Sequence, residues 1–413
     1  MMVPDENRTD PYEDIGIADI RELEGAFLFP TYQRYELFLS HGEGAYLYDL
    51  EGRRYLDFLA GIAVNSLGYR HPRILSVLKE QGERLIHTSN LLYHPYQGLL
   101  AKRLVELSGM SKVFFTNSGT EAMEAALKIA RAAARNQGRS DKVRFLCLRD
   151  SFHGRTFGSL SITAQEKYQA PFRPLLPDVE VIPEATAEAL ARIFDDRVCA
   201  LVLEPVQGEA GVRPLPADFL IAARELCSRN GALLILDEIQ TGVGRTGKFF
   251  AFQHYPIQPD LITVAKALAS GYPLGAVIGN TAVAQSLKTG EHGTTFGGGP
   301  LACRLALETL DVIRDENLTG NAFEMGACLL SGLQEMKARH PSMTEIRGLG
   351  LMVGVEVGTL APEIVKRLLA HGVIANAAHG KVLRLVPPLI ISERQVREFL
   401  AALDHVLNEV EAQ

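Results

Sequence analysis

The sequence predicts an α/β protein: a large domain on a mostly parallel sheet covered by helices, and a smaller α+β domain. Three observations predict it. From Lys112 to about residue 278, short apolar runs alternate with stretches whose apolar residues recur at helical spacing. Short apolar strands separated by helices form parallel sheets covered on both faces. After Ile346 the rhythm changes to strand, helix, strand, helix, which marks a small separate unit. The length of 413 residues also exceeds one typical domain.

In order, residues 1–30 begin as a charged tail and continue as a helix over 15–28. Residues 46–58 read as a hairpin, two β-prone runs around Glu51-Gly52. A glycine-punctuated loop over 61–72 leads to helices over 73–86 and 96–107. Strands are expected at 113–116, 143–148, 198–203, 232–236 and 261–264, with 276–278 as a further short one. Helices at 121–135 and 219–230 lie between them. Two long helical stretches cover 301–314 and 322–339. The last part reads as strand 351–357, helix 361–371, strand 381–385 and helix 393–410. No internal repeat or low-complexity segment interrupts this order.

Composition excludes several classes of function. Hydrophobic residues make up 47% and charged ones 22%, ordinary for a globular protein. A net charge of −7 without a long basic run argues against nucleic-acid binding. No run of about 18 apolar residues exists, so no membrane span is expected. The polar, acidic residues 1–14 hold no apolar signal core. Cys147, Cys199, Cys227, Cys303 and Cys328 are odd in number and widely spaced, so neither a disulfide framework nor a zinc-thiolate site is indicated. A cytoplasmic, soluble protein with buried free thiols is the expectation.

The chemistry centres on residues 259–276. There an apolar run with Leu261, Ile262 and Val264 ends at a single lysine, Lys266, followed by a Gly/Pro turn. Burial lowers a lysine pKa, and a neutral amine attacks carbonyls, so Lys266 is the candidate Schiff-base lysine. Thr116-Asn117-Ser118-Gly119-Thr120-Glu121 joins a strand to a helix. Ser118 and Glu121 have capping-box spacing, and the helix start is also a ready anion site. Leu236-Asp237-Glu238 and Glu204-Pro205-Val206-Gln207-Gly208-Glu209 put carboxylates at strand ends, where open α/β sheets bind ligands. Asp237 and Glu238 are neighbours in a strand, so they face opposite ways. The His and Asp spacing that would complete a metal site is missing, and none is expected there.

Other motifs add candidates. Phe152-His153-Gly154-Arg155-Thr156 offers an aromatic stacker and a guanidinium for a carboxylate, and Arg384 is a second such guanidinium. His292-Gly293-Thr294-Thr295-Phe296-Gly297-Gly298 is a glycine-rich loop with two hydroxyls for a phosphate. Gly242-Val243-Gly244-Arg245-Thr246-Gly247 matches G-x-G-x-x-G in letters. No helix is expected to open at its third glycine, so a nicotinamide-dependent dehydrogenase is rejected.

Taken in order, these pieces strongly resemble the class III, ω-amino-acid aminotransferases of fold type I, from about residue 58 to 388. The carriers are the 117–122, 152–156, 204–209 and 236–242 segments and the Lys266 stretch. Residues 57–68 and 292–298 look most like the members that act on N-acetylornithine. Tyr69-Arg70 stands where the family usually has His and a small residue, Gly299 where Asn is common, and Ala210 where Gly is common. The resemblance implies a seven-stranded sheet in a large domain over 76–315. It implies a small domain formed by an N-terminal segment, 1–75, and a C-terminal part, 316–413.

The resemblance further implies pyridoxal 5'-phosphate as cofactor. Lys266 would carry it and move the proton, and Asp237 would pair its ring nitrogen. Phe152 and His153 would lie against the ring, and Gln240 near its phenolic oxygen. Ser118, Gly119 and Thr120 would hold the phosphate, with Thr295 from a neighbouring subunit, which requires a homodimer with the site at the interface. Arg384 would grip the α-carboxylate of glutamate or 2-oxoglutarate, Glu209 would shield Arg384 from ω-amino donors, and Arg155 and Thr294 would contact substrate. The implied reaction moves the terminal amine of N-acetylornithine to 2-oxoglutarate, a step of arginine biosynthesis. Ornithine, succinylornithine and 4-aminobutyrate are the alternative donors.

Overall fold

The computed structural model describes residues 15–412. The tail and the absence of a signal core, read over 1–14, lie outside the described residues. The centre is a seven-stranded sheet. Its order is Lys112–Thr116, Gly275–Gly279, Leu261–Val264, Leu233–Asp237, Val198–Leu203, Arg144–Leu148 and Val179–Ile182. Only Gly275–Gly279 runs against the rest, pairing antiparallel on both sides. The parallel strands therefore end on one edge, and the 117–122, 152–156, 204–209 and 236–242 segments and Lys266 follow such ends, whereas Arg384 lies in a strand of the second sheet.

Alternation within the strands divides the core in two. Leu146, Leu201, Leu234, Leu236 and Ile262 pack on one face. Phe145, Cys147, Ala200, Val202 and Ile235 pack on the other, against the Ala-rich side of helix Gly119–Asn136. That helix buries Ala122, Ala126, Ala130 and Ala133, small enough for a close approach to the sheet.

The expected hairpin is Tyr46–Asp49 with Arg54–Asp57, joined on one side by Leu39–Glu43. On the other side Val373–Ile374 pairs parallel with it, at Val373 to Leu56 and Ile374 to Asp57. A second, antiparallel sheet holds Glu345–Leu349, Met352–Glu356, Val382–Leu385 and Asn376–Ala378. Helices Leu318–Lys337, Ala361–Ala370 and Glu393–Glu411 accompany it.

The two- and three-residue strands Val206–Gln207, Arg213–Pro214, Val373–Ile374 and Asn376–Ala378 are absent from the sequence reading, and so are three longer ones: Leu39–Glu43, Val179–Ile182 and Glu345–Leu349. Each longer one lies at a sheet edge with a partly exposed face, so none shows a buried apolar run. The helix expected over 73–86 stops at Gly82. Gly242 to Gly247 forms consecutive turns with no helix at the third glycine, as expected. All five cysteines are unpaired; four are buried and Cys328 is half-buried. Among the described residues no helix is long and apolar enough to cross a membrane.

Candidate active site

The strand ends enclose a cavity of about 350 Å³. Of the expected residues, Ser118, Gly119, Thr120, Phe152, His153, Arg155, Asp237, Gln240 and Lys266 line it. Lys266 comes directly after Ala265 at the end of Leu261–Val264 and opens a single 3-10 turn. Its φ of 49° is left-handed, which costs a non-glycine residue on the order of 1–3 kcal/mol. Burial, then the nearby Arg384 guanidinium, push its amine down to about 8, against the pull of Glu209, Asp237 and Glu204. A large share of neutral amine is therefore present in mildly alkaline water.

Asp237 faces this amine's cavity from the end of the neighbouring strand and is 4% exposed. His153 Nδ1 donates to its Oδ2 at 2.8 Å. Thr263 Oγ1 and the Ile239 amide donate to its Oδ1, at 3.2 and 3.1 Å. Thr263 stands opposite Asp237 in the ladder, so sheet register places that hydroxyl. Glu238 faces the other way, as the strand alternation requires. It is fully buried and accepts from the Ala251 and Phe252 amides and Thr241 Oγ1.

The helix start behaves as an anion site. Ser118 caps it, accepting from the Glu121 amide at 3.3 Å. The capping box is shifted from the expected form, since Glu121 Oε2 accepts from the Asn117 amide at 2.6 Å. The Gly119 and Thr120 amides have no acceptor among the described residues. Thr120 Oγ1 accepts from the Arg155 and Thr156 amides, at 3.1 and 3.2 Å, and so fixes the 152–156 loop beside the helix. Gly154 is needed there: its φ is +134°, and a Cβ would stand 2.3 Å from Thr120 Oγ1.

Phe152 is half-buried and meets Tyr168 edge-on at 5.9 Å. Arg155 is exposed, its guanidinium 4.0 Å from the Tyr168 ring centre. Arg384 is the opposite case, 1% exposed and ion-paired with Glu209, its Nε on Asn376 Oδ1 at 3.1 Å. Burial would raise the Glu209 carboxyl, but Arg384 overrides it and holds the carboxyl below its ordinary value. Thr294 and Thr295 do not line the Lys266 cavity; they border a separate one with Phe114, Glu121 and Glu124. Thr294 Oγ1 accepts from Asn117 Nδ2 at 3.2 Å, whereas Thr295 is exposed.

The residue reading placed Glu204 at a strand end and a Gly/Pro turn after Lys266 but gave no role to Glu204, Tyr272, Pro273 or Leu274, all of which line the cavity. Glu204 ends the strand beside that of Asp237 and accepts from the Phe152 and Gly208 amides, at 3.0 and 3.3 Å. Burial pushes its carboxyl up to about 7. Its position at a strand end was the available signal.

The donor set fits a phosphorylated pyridine aldehyde on several counts. Lys266 supplies an amine, and Asp237 a braced acceptor for a ring nitrogen. Open helix-start amides meet a phosphate. His153 Nε2 and Gln240 Oε1 are buried with no protein partner. Such a fold and site define a pyridoxal-phosphate-dependent enzyme of the α/β transaminase type.

Comparison with known proteins narrows this. Residues 29–407 match the family Aminotransferase class-III, and the chain belongs to that family. It is 44% identical over 388 residues to the acetylornithine aminotransferase of Caldanaerobacter subterraneus subsp. tengcongensis, covering 94% of this chain and 98% of that one. It is 46% identical over 375 residues to that of Archaeoglobus fulgidus, covering 91% and 96%. The ornithine aminotransferase of Toxoplasma gondii, in a structure with partial occupancy of PLP at the active site, superposes with a TM-score of 0.92. Identity there is 34%, with 96% of each chain covered. The enzyme is a transaminase, and its cofactor is pyridoxal 5'-phosphate.

Proposed function

We propose that this transaminase moves the terminal amino group of N-acetylornithine to 2-oxoglutarate, giving N-acetylglutamate 5-semialdehyde and glutamate, a step of arginine biosynthesis. The Glu209–Arg384 pair is the observation that carries the reading. Glutamate brings a carboxylate beside its reacting amine, whereas an ω-amino donor does not. Arg384 meets that carboxylate, and Glu209 neutralises Arg384 when no carboxylate is there. An unpaired buried guanidinium would be costly, which supports such a shield. Arg155, exposed at the rim, holds the far carboxylate of each substrate, with Thr294 beside the site. The names of the relatives above support N-acetylornithine as donor.

The cofactor, when bound, supplies an electron sink that acidifies the carbon bearing the substrate amine. Asp237 would keep a proton on the ring nitrogen, and His153 holds Asp237 in place. Lys266 Nζ would take the proton from the substrate carbon and deliver it to the cofactor, so that the amino group leaves the donor. Ser118, Gly119 and Thr120 would hold the phosphate, Phe152 would lie against the ring, and Gln240 would contact its phenolic-oxygen side.

Thr295 completes the phosphate site of a second subunit, so the active unit is a homodimer. The exposure of Thr295 supports this, together with the exposed Leu91, Leu92, Tyr93 and Phe296 beside it. Asn90 Nδ2 ties the two segments by donating to Thr294 O at 3.1 Å. The unpaired cysteines suit a reducing, cytoplasmic compartment.

A donor panel with 2-oxoglutarate tests the reading. N-acetylornithine should give the highest kcat/KM, above ornithine, N-succinylornithine and 4-aminobutyrate. A higher value for any of those three would overturn the donor assignment while leaving the transaminase intact.

A further inference from the structure

Away from the Lys266 cavity, His371, His405 and Glu409 bring their side-chain ligand atoms within 4.8 Å of one another. His405 and Glu409 are four apart on helix Glu393–Glu411 and share a face. His371 caps the end of helix Ala361–Ala370. His405 Nε2 stands 3.2 Å from Glu409 Oε1, and His371 Nε2 stands 3.5 Å from the same oxygen. The two imidazoles meet at 81° with ring centres 4.7 Å apart.

We infer that His371, His405 and Glu409 form a zinc site that ties the end of helix Ala361–Ala370 to the C-terminal helix. The distances support it. With zinc–ligand bonds of about 2.1 Å, neighbouring ligands of a tetrahedral ion stand about 3.4 Å apart. Both nitrogen–oxygen spacings already bracket that value. Two imidazoles and one carboxylate select zinc over calcium or magnesium, which take oxygen ligands. The fourth position is open to water.

An outer partner is also in place. Arg367 Nη1 contacts the other oxygen of Glu409, Oε2, at 3.2 Å and pairs with Glu363 through its Nε. This fixes the carboxylate with Oε1 turned toward the two rings, as outer groups do at metal centres. The nearby guanidinium charge also weakens cation binding, so the site takes up zinc reversibly. None of these residues lines the Lys266 cavity, and the inference does not depend on the donor assigned above.

Equilibrium dialysis of the cofactor-loaded enzyme against Zn2+, with zinc counted per chain, tests it. Wild type should hold one zinc per chain more than His405→Ala or His371→Asn. Half-saturation should move upward at least about tenfold in each variant. Zinc should raise the thermal midpoint of wild type and leave that of His405→Ala unmoved. Metal-free transaminase rates should match, because His405 is 60% exposed and remote from the cavity. Equal zinc content and equal midpoint shifts in wild type and His405→Ala would overturn the site.

Discussion

His153 Nδ1 donates to Asp237 Oδ2 at 2.8 Å, and both side chains are buried. A carboxylate only accepts, so the ring proton is on Nδ1 and Nε2 is left without a protein partner. The imidazole thus braces the carboxylate from behind, while Thr263 and Ile239 hold its other oxygen.

The first prediction follows from that geometry. A carboxylate about 4 Å from a ring cation contributes about 4 kcal/mol at an effective dielectric of 20. Asp237→Asn should lower kcat about a thousandfold with cofactor still bound. Absorbance should be used to confirm occupancy, and near-normal turnover at full occupancy would refute the pairing.

Lys266 sets a pH dependence. Its amine is lowered to about 8, so the ammonium dominates below that pH and the neutral nucleophile above it. Cofactor attachment to the cofactor-free protein should accelerate as pH rises through about 8 and then level. Stopped-flow absorbance measures this. A profile rising only near the ordinary lysine value would mean that burial does not act on this amine.

The strand-end residues were legible because burial and chemistry coincide in one short segment. The Val198–Leu203 strand and Lys266 at the close of Leu261–Val264 illustrate this. Edge strands such as Val179–Ile182, with Val181 41% exposed, carry no such run. Long-range partnerships had no local signal. Glu209 and Arg384 are 175 residues apart, and only the family resemblance joined them. His371, at the end of one helix, and His405, within another, likewise show no local signal of their contact.

Glu204 gives a stability prediction. Its two oxygens accept one backbone N–H each, from Phe152 and Gly208. Glu204→Gln keeps the shape but turns one acceptor into a donor facing an amide. An unsatisfied buried donor costs about 1–3 kcal/mol, so the thermal midpoint of a chain this long should fall by about 1–3 °C. An unchanged midpoint would show that the loop does not depend on this carboxylate.

Thr295 tests subunit sharing. Hybrids of Thr295→Ala chains with Lys266→Ala chains have two kinds of site. If Thr295 serves the opposite subunit, the Thr295→Ala chain keeps its own Lys266 and receives an intact Thr295. The hybrid then keeps one normal site and about half of wild-type activity. Activity at about half that of the Thr295→Ala homodimer would assign Thr295 to its own chain.

Glu209→Ala tests the switch. Arg384 then stays uncovered when an ω-amino donor binds, whereas glutamate still brings its own carboxylate. A hydrogen bond to a charged group is worth about 1.5–3 kcal/mol. The ratio of kcat/KM for N-acetylornithine over glutamate should therefore fall about tenfold or more. Stability should fall as well, because Arg384 is 1% exposed and removing one partner of a buried pair costs about 3–5 kcal/mol. The two effects separate, since a stability loss alone lowers both substrates equally. An unchanged ratio with a lowered thermal midpoint would reduce the Glu209–Arg384 pair to a structural one.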